Sequence, residues 1–309
     1  MVGPEELRIL LALGMLFSVP FKSANLQAFP DPENPANTLF YFGVIIGVTV
    51  FFLVLIKLKK QLAIKYIFMI AIASTLFFLL PIMFWYFLPY TIDIAELIRV
   101  RVGISLYLDI PFTLGISFTY VALTLLMIYP EWYVVNFVGF VSAAGIIALM
   151  GISLGIITSI ILLVGLAVYD AISVYKTKHM ITLAESVTEL QLPVLMVFPK
   201  SADYKFTEQK PLKETLAKKT EEREAMFMGL GDIIIPGTLV VSSYINITEK
   251  PLDGLLTTNL VTALLTLCGS LIGFFILTQI AKSGKPQAGL PFLNFGALAG
   301  FLIGYVLTI

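Results

Sequence analysis

The sequence predicts an all-α membrane protein of nine transmembrane helices. The N-terminus is expected in the cytoplasm, the C-terminus outside, and one long cytoplasmic loop between helices six and seven. Three observations predict it. Apolar residues fill 58% of the 309 positions and charged residues only 13%, where a soluble globular domain carries about 25% charged residues. Apolar runs near the roughly 20 residues that cross a hydrocarbon core recur along the whole chain. The polar residues gather into short links and a single long segment.

The same composition narrows the chemistry. Formal net charge is zero, so no broad positive field points to nucleic acid, and none is expected as a partner. The single cysteine, Cys268, lies in an apolar run, which leaves no disulfide framework and no Cys-based metal site. The single histidine, His179, stands beside Lys176 and Lys178 and reads as a solvated loop residue. A Ser–His hydrolase needs a base next to its nucleophile, and His-Glu-x-x-His zinc chemistry needs two histidines. Hydrolysis, if it occurs, falls to carboxylates, with no metal and no cofactor expected.

The first span runs over residues 7–21. Its leader carries Glu5, Glu6 and Arg8 and shows no small-x-small cleavage site, so it is read as a span. Pro30-Asp31-Pro32-Glu33-Asn34-Pro35 is an exposed loop, because proline removes donors and fixes turns. The second span, 39–58, is stopped by Lys57, Lys59 and Lys60, and the third, 66–88, ends in an interfacial belt of Trp85, Tyr86 and Tyr90. A polar link, 91–102, leads to the fourth span, 103–128, and Pro130-Glu131-Trp132 turns the chain. Residues 132–175 are almost unbroken apolar, too long for one span, and divide near Gly151–Gly155 into a fifth and a sixth. A Lys- and Glu-rich segment follows, interrupted by an apolar run at 192–198 that reads as a strand. Spans seven to nine are placed at 225–245, 255–280 and 290–309. The chain thus divides into an N-terminal part, 1–176, a hydrophilic loop, 177–224, and a C-terminal part, 225–309.

Orientation follows from basic residues. With the N-terminus inside, Lys57, Lys59, Lys60, Lys65, Lys282, Lys285 and the whole lysine-rich loop fall on the cytoplasmic side. Lys22, Arg99, Arg101 and Lys250 fall outside, in keeping with the positive-inside rule. Gly151-x-x-x-Gly155, Gly269-x-x-x-Gly273 and Gly296-x-x-x-Gly300-x-x-x-Gly304 are spaced for close helix packing.

Three acids lie within the spans: Asp109, Asp170 and Asp232. A carboxylate in an apolar span costs about 2.5–3.5 kcal/mol on insertion scales, so each needs a reason. Asp170 lies some 9 Å from the inner end of span six, at about 1.5 Å per residue. By the same rise Asp232 lies about 12 Å into span seven. The two therefore share one level near the cytoplasmic face. Asp109 enters from the opposite face and reads as structural or cavity-lining. Two carboxyls at one level in low dielectric share a proton and titrate as a pair. The ionised partner can draw a proton from water while the neutral one protonates the amide. Gly229 and Gly231 leave the backbone beside Asp232 uncluttered. Depth and spacing alone fit a protease, but rather better a carboxylate-based cation or proton transporter or leak channel, and either acid alone could be hydrogen-bonded glue between helices.

Local motifs separate the two. Tyr169-Asp170 in one span and Gly229-Leu230-Gly231-Asp232 in the next resemble the paired Tyr-Asp and Gly-x-Gly-Asp motifs of the presenilin and signal-peptide-peptidase superfamily. Ala288-Gly289-Leu290-Pro291 resembles its Pro-Ala-Leu motif, with alanine and glycine where proline and alanine are usual. The archaeal-type homologues are the nearest in character. The resemblance implies an intramembrane aspartyl protease with Asp170 and Asp232 as the catalytic dyad. It implies that Tyr169 packs beside the site, that Gly229, Leu230 and Gly231 shape the substrate approach, and that Ala288, Gly289, Leu290 and Pro291 bind substrate. It also implies that 192–198 forms a strand that extends the substrate. The implied substrates are single-span transmembrane proteins or signal-peptide-like segments, met in the lipid of a microbial cell membrane. Homo-oligomerisation stays open.

Overall fold

Helices and two small hairpins build the protein, as seen in a computed structural model that describes residues 4–88, 110–177, 195–201, 204–206, 225–253, 256–281 and 287–308. Among the described residues there are nine α-helices. They are α1 (Pro4–Ser23), α2 (Pro35–Lys57), α3 (Gln61–Phe87), α4 (Ile110–Ile128), α5 (Trp132–Ser153), α6 (Ile156–Ile172), α7 (Gly231–Asn246), α8 (Thr258–Ala281) and α9 (Leu290–Thr308). A π-helical turn, Ser173–Thr177, extends α6. Strands β1 (Leu195–Pro199) and β2 (Ala225–Gly229) pair antiparallel, with Val197 opposite Phe227. A second hairpin joins β3 (Pro251–Asp253) to β4 (Leu256–Thr257). Asp109, the 91–102 link, His179 and most of the 177–224 loop lie outside the described residues.

Among the described helices, seven are long and apolar enough to cross a membrane. The exceptions are α1, which carries Glu5, Glu6 and Lys22 in its end turns, and α7, which has only 16 residues. The expected seventh span, 225–245, is corrected at its start: its helix begins at Gly231. Residues 225–229 were expected to be helical and are strand β2 instead. Gly229 and Gly231 weaken a helix there, and β1 lies alongside to take the amides into a ladder. Asp232 consequently stands in the first turn of α7 and not well along a helix.

Short as it is, α7 is the hub. It packs against α1, α5, α6, α8 and α9, and every residue from Ile235 to Ser243 is buried. The inward face of α1, Leu7, Leu10 and Leu11, joins Ile147 of α5 and Val240 and Val241 of α7 in one core cluster. A second cluster sets Leu162, Leu163 and Leu166 of α6 against Leu239 of α7 and Leu290 and Phe301 of α9. Helices α2, α3 and α4 lie to the outside. Exposed Phe40, Val44, Val48 and Phe51 on α2 suit contact with lipid.

The helix pair α8–α9 is the most extensive contact among the described elements. A Cβ added at Gly269, Gly296 or Gly300 would strike a backbone carbonyl of the facing helix. Absent side chains therefore let the two backbones touch, as the small-residue spacing predicts.

The proline-rich loop before α2 does more than expose a turn. Glu33 accepts the N–H of Ile156 at 2.9 Å, Pro32 C=O accepts that of Gly155 at 2.8 Å, and Thr158 Oγ1 donates to Pro32 C=O at 2.9 Å. These contacts satisfy first-turn donors of α6, and the Glu33 carboxylate complements the positive end of its dipole.

Candidate active site

Three elements bring the candidate residues together. Helix α6 carries Tyr169 and Asp170 in its last turn, the β2–α7 junction carries Gly229 to Asp232, and the N-terminus of α9 begins with Leu290. Asp170 is buried, at 4% exposure. Its Oδ2 accepts the backbone N–H of Leu290 at 3.1 Å. That N–H belongs to the first turn of α9, where helix donors lack internal partners and the dipole favours an anion. The bond fixes one carboxyl at a helix start.

Asp232 is half-buried and approaches the same segment from the other side. A Cβ at Gly289 would lie 2.6 Å from Asp232 Oδ2 and 2.9 Å from its Cγ. Only a residue without a side chain leaves the carboxyl where it is. The two acids thus meet around one peptide, Gly289–Leu290. Gly229, at the end of β2, also faces Asp232, its added Cβ falling 3.5 Å from Oδ2. Gly231 is exposed, and a Cβ there would meet nothing within 4 Å, so one side of Asp232 is open. Pro236 has no N–H to give the carbonyl of Asp232, four residues earlier, which loosens the first turn of α7.

The other expected residues are placed as follows. Tyr169 packs against the α6–α7–α9 cluster. Leu230 is buried at the strand-to-helix junction. Ala288 is fully buried, and its N–H reaches Tyr175 Oη at 3.4 Å. Pro291 lines an apolar groove of about 530 Å³ between α8 and α9. Among the described residues no three His, Cys, Asp or Glu side chains gather as a metal site would require.

Sequence reasoning passed over three polar side chains. Tyr175, on the π-helical turn, donates to Gln287 Oε1 at 2.8 Å and so holds the approach to α9. Asn294, one turn beyond Leu290, donates to Leu163 C=O at 2.8 Å and joins α9 to α6. Asn136 on α5 bonds to β1. The signal for the two asparagines was the one used for the aspartates: a polar group in an apolar span.

A family model described as signal-peptide peptidase, presenilin aspartyl protease matches residues 7–309. The chain belongs to this family. It is an intramembrane aspartyl protease, and nothing supports the transporter reading. A solved structure of a presenilin family intramembrane aspartate protease in space group C222 is 29% identical to it. The match covers 98% of this chain and 97% of that one, with a TM-score of 0.64. A structure in space group P2, described in the same words, is 28% identical, with 97% and 96% covered and a TM-score of 0.62. No curated protein matches the protease.

Proposed function

We propose that Asp170 and Asp232 are the catalytic dyad of this protease. The observation that carries the reading is their convergence on the Gly289–Leu290 peptide, one by hydrogen bond and one by close approach. One carboxyl, ionised, takes a proton from water as it attacks the scissile carbonyl. The other, protonated, gives its proton to the carbonyl oxygen; as the tetrahedral diol collapses it takes a hydroxyl proton back, and the first carboxyl passes the proton drawn from water to the leaving nitrogen. The Leu290 amide keeps Asp170 oriented, and the open side at Gly231 admits the substrate. Tyr169 and Leu230 pack the two acids in place, while Ala288, Gly289, Leu290 and Pro291 frame the substrate backbone.

Substrates of this reading are single-span transmembrane proteins or signal-peptide-like segments. A transmembrane helix hides its amides in internal bonds, so it must unwind and find replacement partners before cleavage. The β1–β2 hairpin runs into α7 directly beside Asp232 and offers an edge for such a strand. The nine-span topology, with the dyad near the cytoplasmic face of a microbial plasma membrane, belongs to the same reading. So does the division into 1–176, the 177–224 loop and 225–309. Homo-oligomers are compatible with it.

The test is incubation of the detergent-purified protein with a generic transmembrane peptide, with and without an aspartyl-protease transition-state analogue. Cleavage that the analogue suppresses, and that Asp170→Asn and Asp232→Asn both lack, is the expected result. Full activity in either variant overturns the assignment.

A further inference from the structure

We propose that Asn136 is a positioning residue: it closes the outer edge of β1 and so directs an extended substrate to the edge of β2. Asn136 Nδ2 donates to Val197 C=O at 2.7 Å, and Val197 N–H donates to Asn136 Oδ1 at 2.8 Å. A side-chain amide carries one acceptor and a donor pair, the complement of a peptide unit, so Asn136 stands where a further strand would pair. It lies on α5, a helix otherwise almost wholly apolar, where an amide without partners is costly.

The geometry also fixes which way the ladder faces. In an antiparallel pair a residue turns its N–H and C=O to the same side. Both groups of Val197 go to Asn136, so Val197 and its partner Phe227 form a non-hydrogen-bonded pair, and Met196 and Phe198 make the bonds to β2. Phe227 must then turn its own N–H and C=O to the far edge of β2, where no bond to a described residue occupies them. Pro199 ends β1 without an N–H to offer. Val197 itself is buried, at 1% exposure, among Val134, Val135 and Val138 of α5. One edge of the sheet is therefore closed by α5, while at the other no described residue is bonded to Phe227. Asn136 fixes the position of the β1–β2 pair against α5.

This inference rests on the reading that substrates enter as a strand, and its test keeps the two apart. Purified wild type, Asn136→Leu, Val197→Pro and the double variant are given one transmembrane peptide. KM, kcat and the product termini, by mass spectrometry, are measured for each. Val197→Pro removes the N–H that Asn136 accepts but leaves the Met196 and Phe198 ladder bonds untouched. The expected result is a KM raised about tenfold in each single variant, the scale of one or two hydrogen bonds, with kcat within about twofold. Product termini spread to neighbouring bonds, and the double variant is no worse than the single ones, because both remove one interaction. Unchanged KM and termini in Val197→Pro overturn the proposal, as do losses that multiply in the double variant. If Asn136→Leu does not fold, Asn136→Ala, which removes both amide groups and adds no bulk, replaces it and is expected to raise KM by the same factor. Wild type that fails to cleave, or cleaves equally after Asp170→Asn, would instead bring down the dyad itself.

Discussion

A carboxylate bonded to the first free amide of a helix does not float. Asp170 is held by Leu290 N–H, while Asp232 owes its place to the missing side chain at position 289. Two outcomes are expected at this scale. Asp170→Asn retains an acceptor for Leu290 and should fold, yet lose about 10²–10⁴-fold in kcat, the usual share of one general acid or base; Asp232→Asn should behave alike. Gly289→Val should push Asp232 out of register and abolish cleavage, while the melting temperature in detergent moves little, since the displaced atoms are the tip of one side chain. The acids were legible because charge in an apolar span is conspicuous, and the tyrosine beside Asp170 and the glycines around Asp232 were legible through the motifs they share with the family. The contact that joins Asp170 to Leu290 was not, since it crosses 120 positions of sequence. Asn136 and Asn294 fall under the same argument, since an amide in an apolar span also needs a partner.

Elements show where periodicity alone misleads. Residues 225–245 form one apolar run, and hydropathy cannot distinguish a strand of five residues from the first turns of a helix. The strand partner, β1, lies beyond a long polar loop, and pairing across such a distance leaves no local trace. The split of the long apolar run was readable, and α5 and α6 part between Ser153 and Ile156 as the glycines suggested. The α8–α9 seam tests the small-residue spacing directly. Gly300→Val should force the pair apart and cost about 1–3 kcal/mol, as overpacking does, measured as a lowered unfolding temperature in lipid nanodiscs. Gly43, where an added Cβ meets nothing within 4 Å, is the control, and Gly43→Val should be near neutral in packing.

For the whole molecule, the charge pattern predicts which loops face the cytoplasm. Maleimide labelling of intact cells, with single cysteines placed in a Cys268→Ser background, checks it. Positions 32 and 250 should react from outside; positions 59 and 285 should react only after permeabilisation. The reverse pattern would invert the topology and put the dyad at the wrong face.

Leu230 alone separates the last residue of β2 from the first of α7. On the proposed reading, a chain laid along that sheet would be measured off against the acids like cloth against a fixed notch: where it is cut would depend on how far it has been drawn in, more than on which side chains flank the break. Inserting one residue after Leu230 should move the notch and shift the product ends by a whole step.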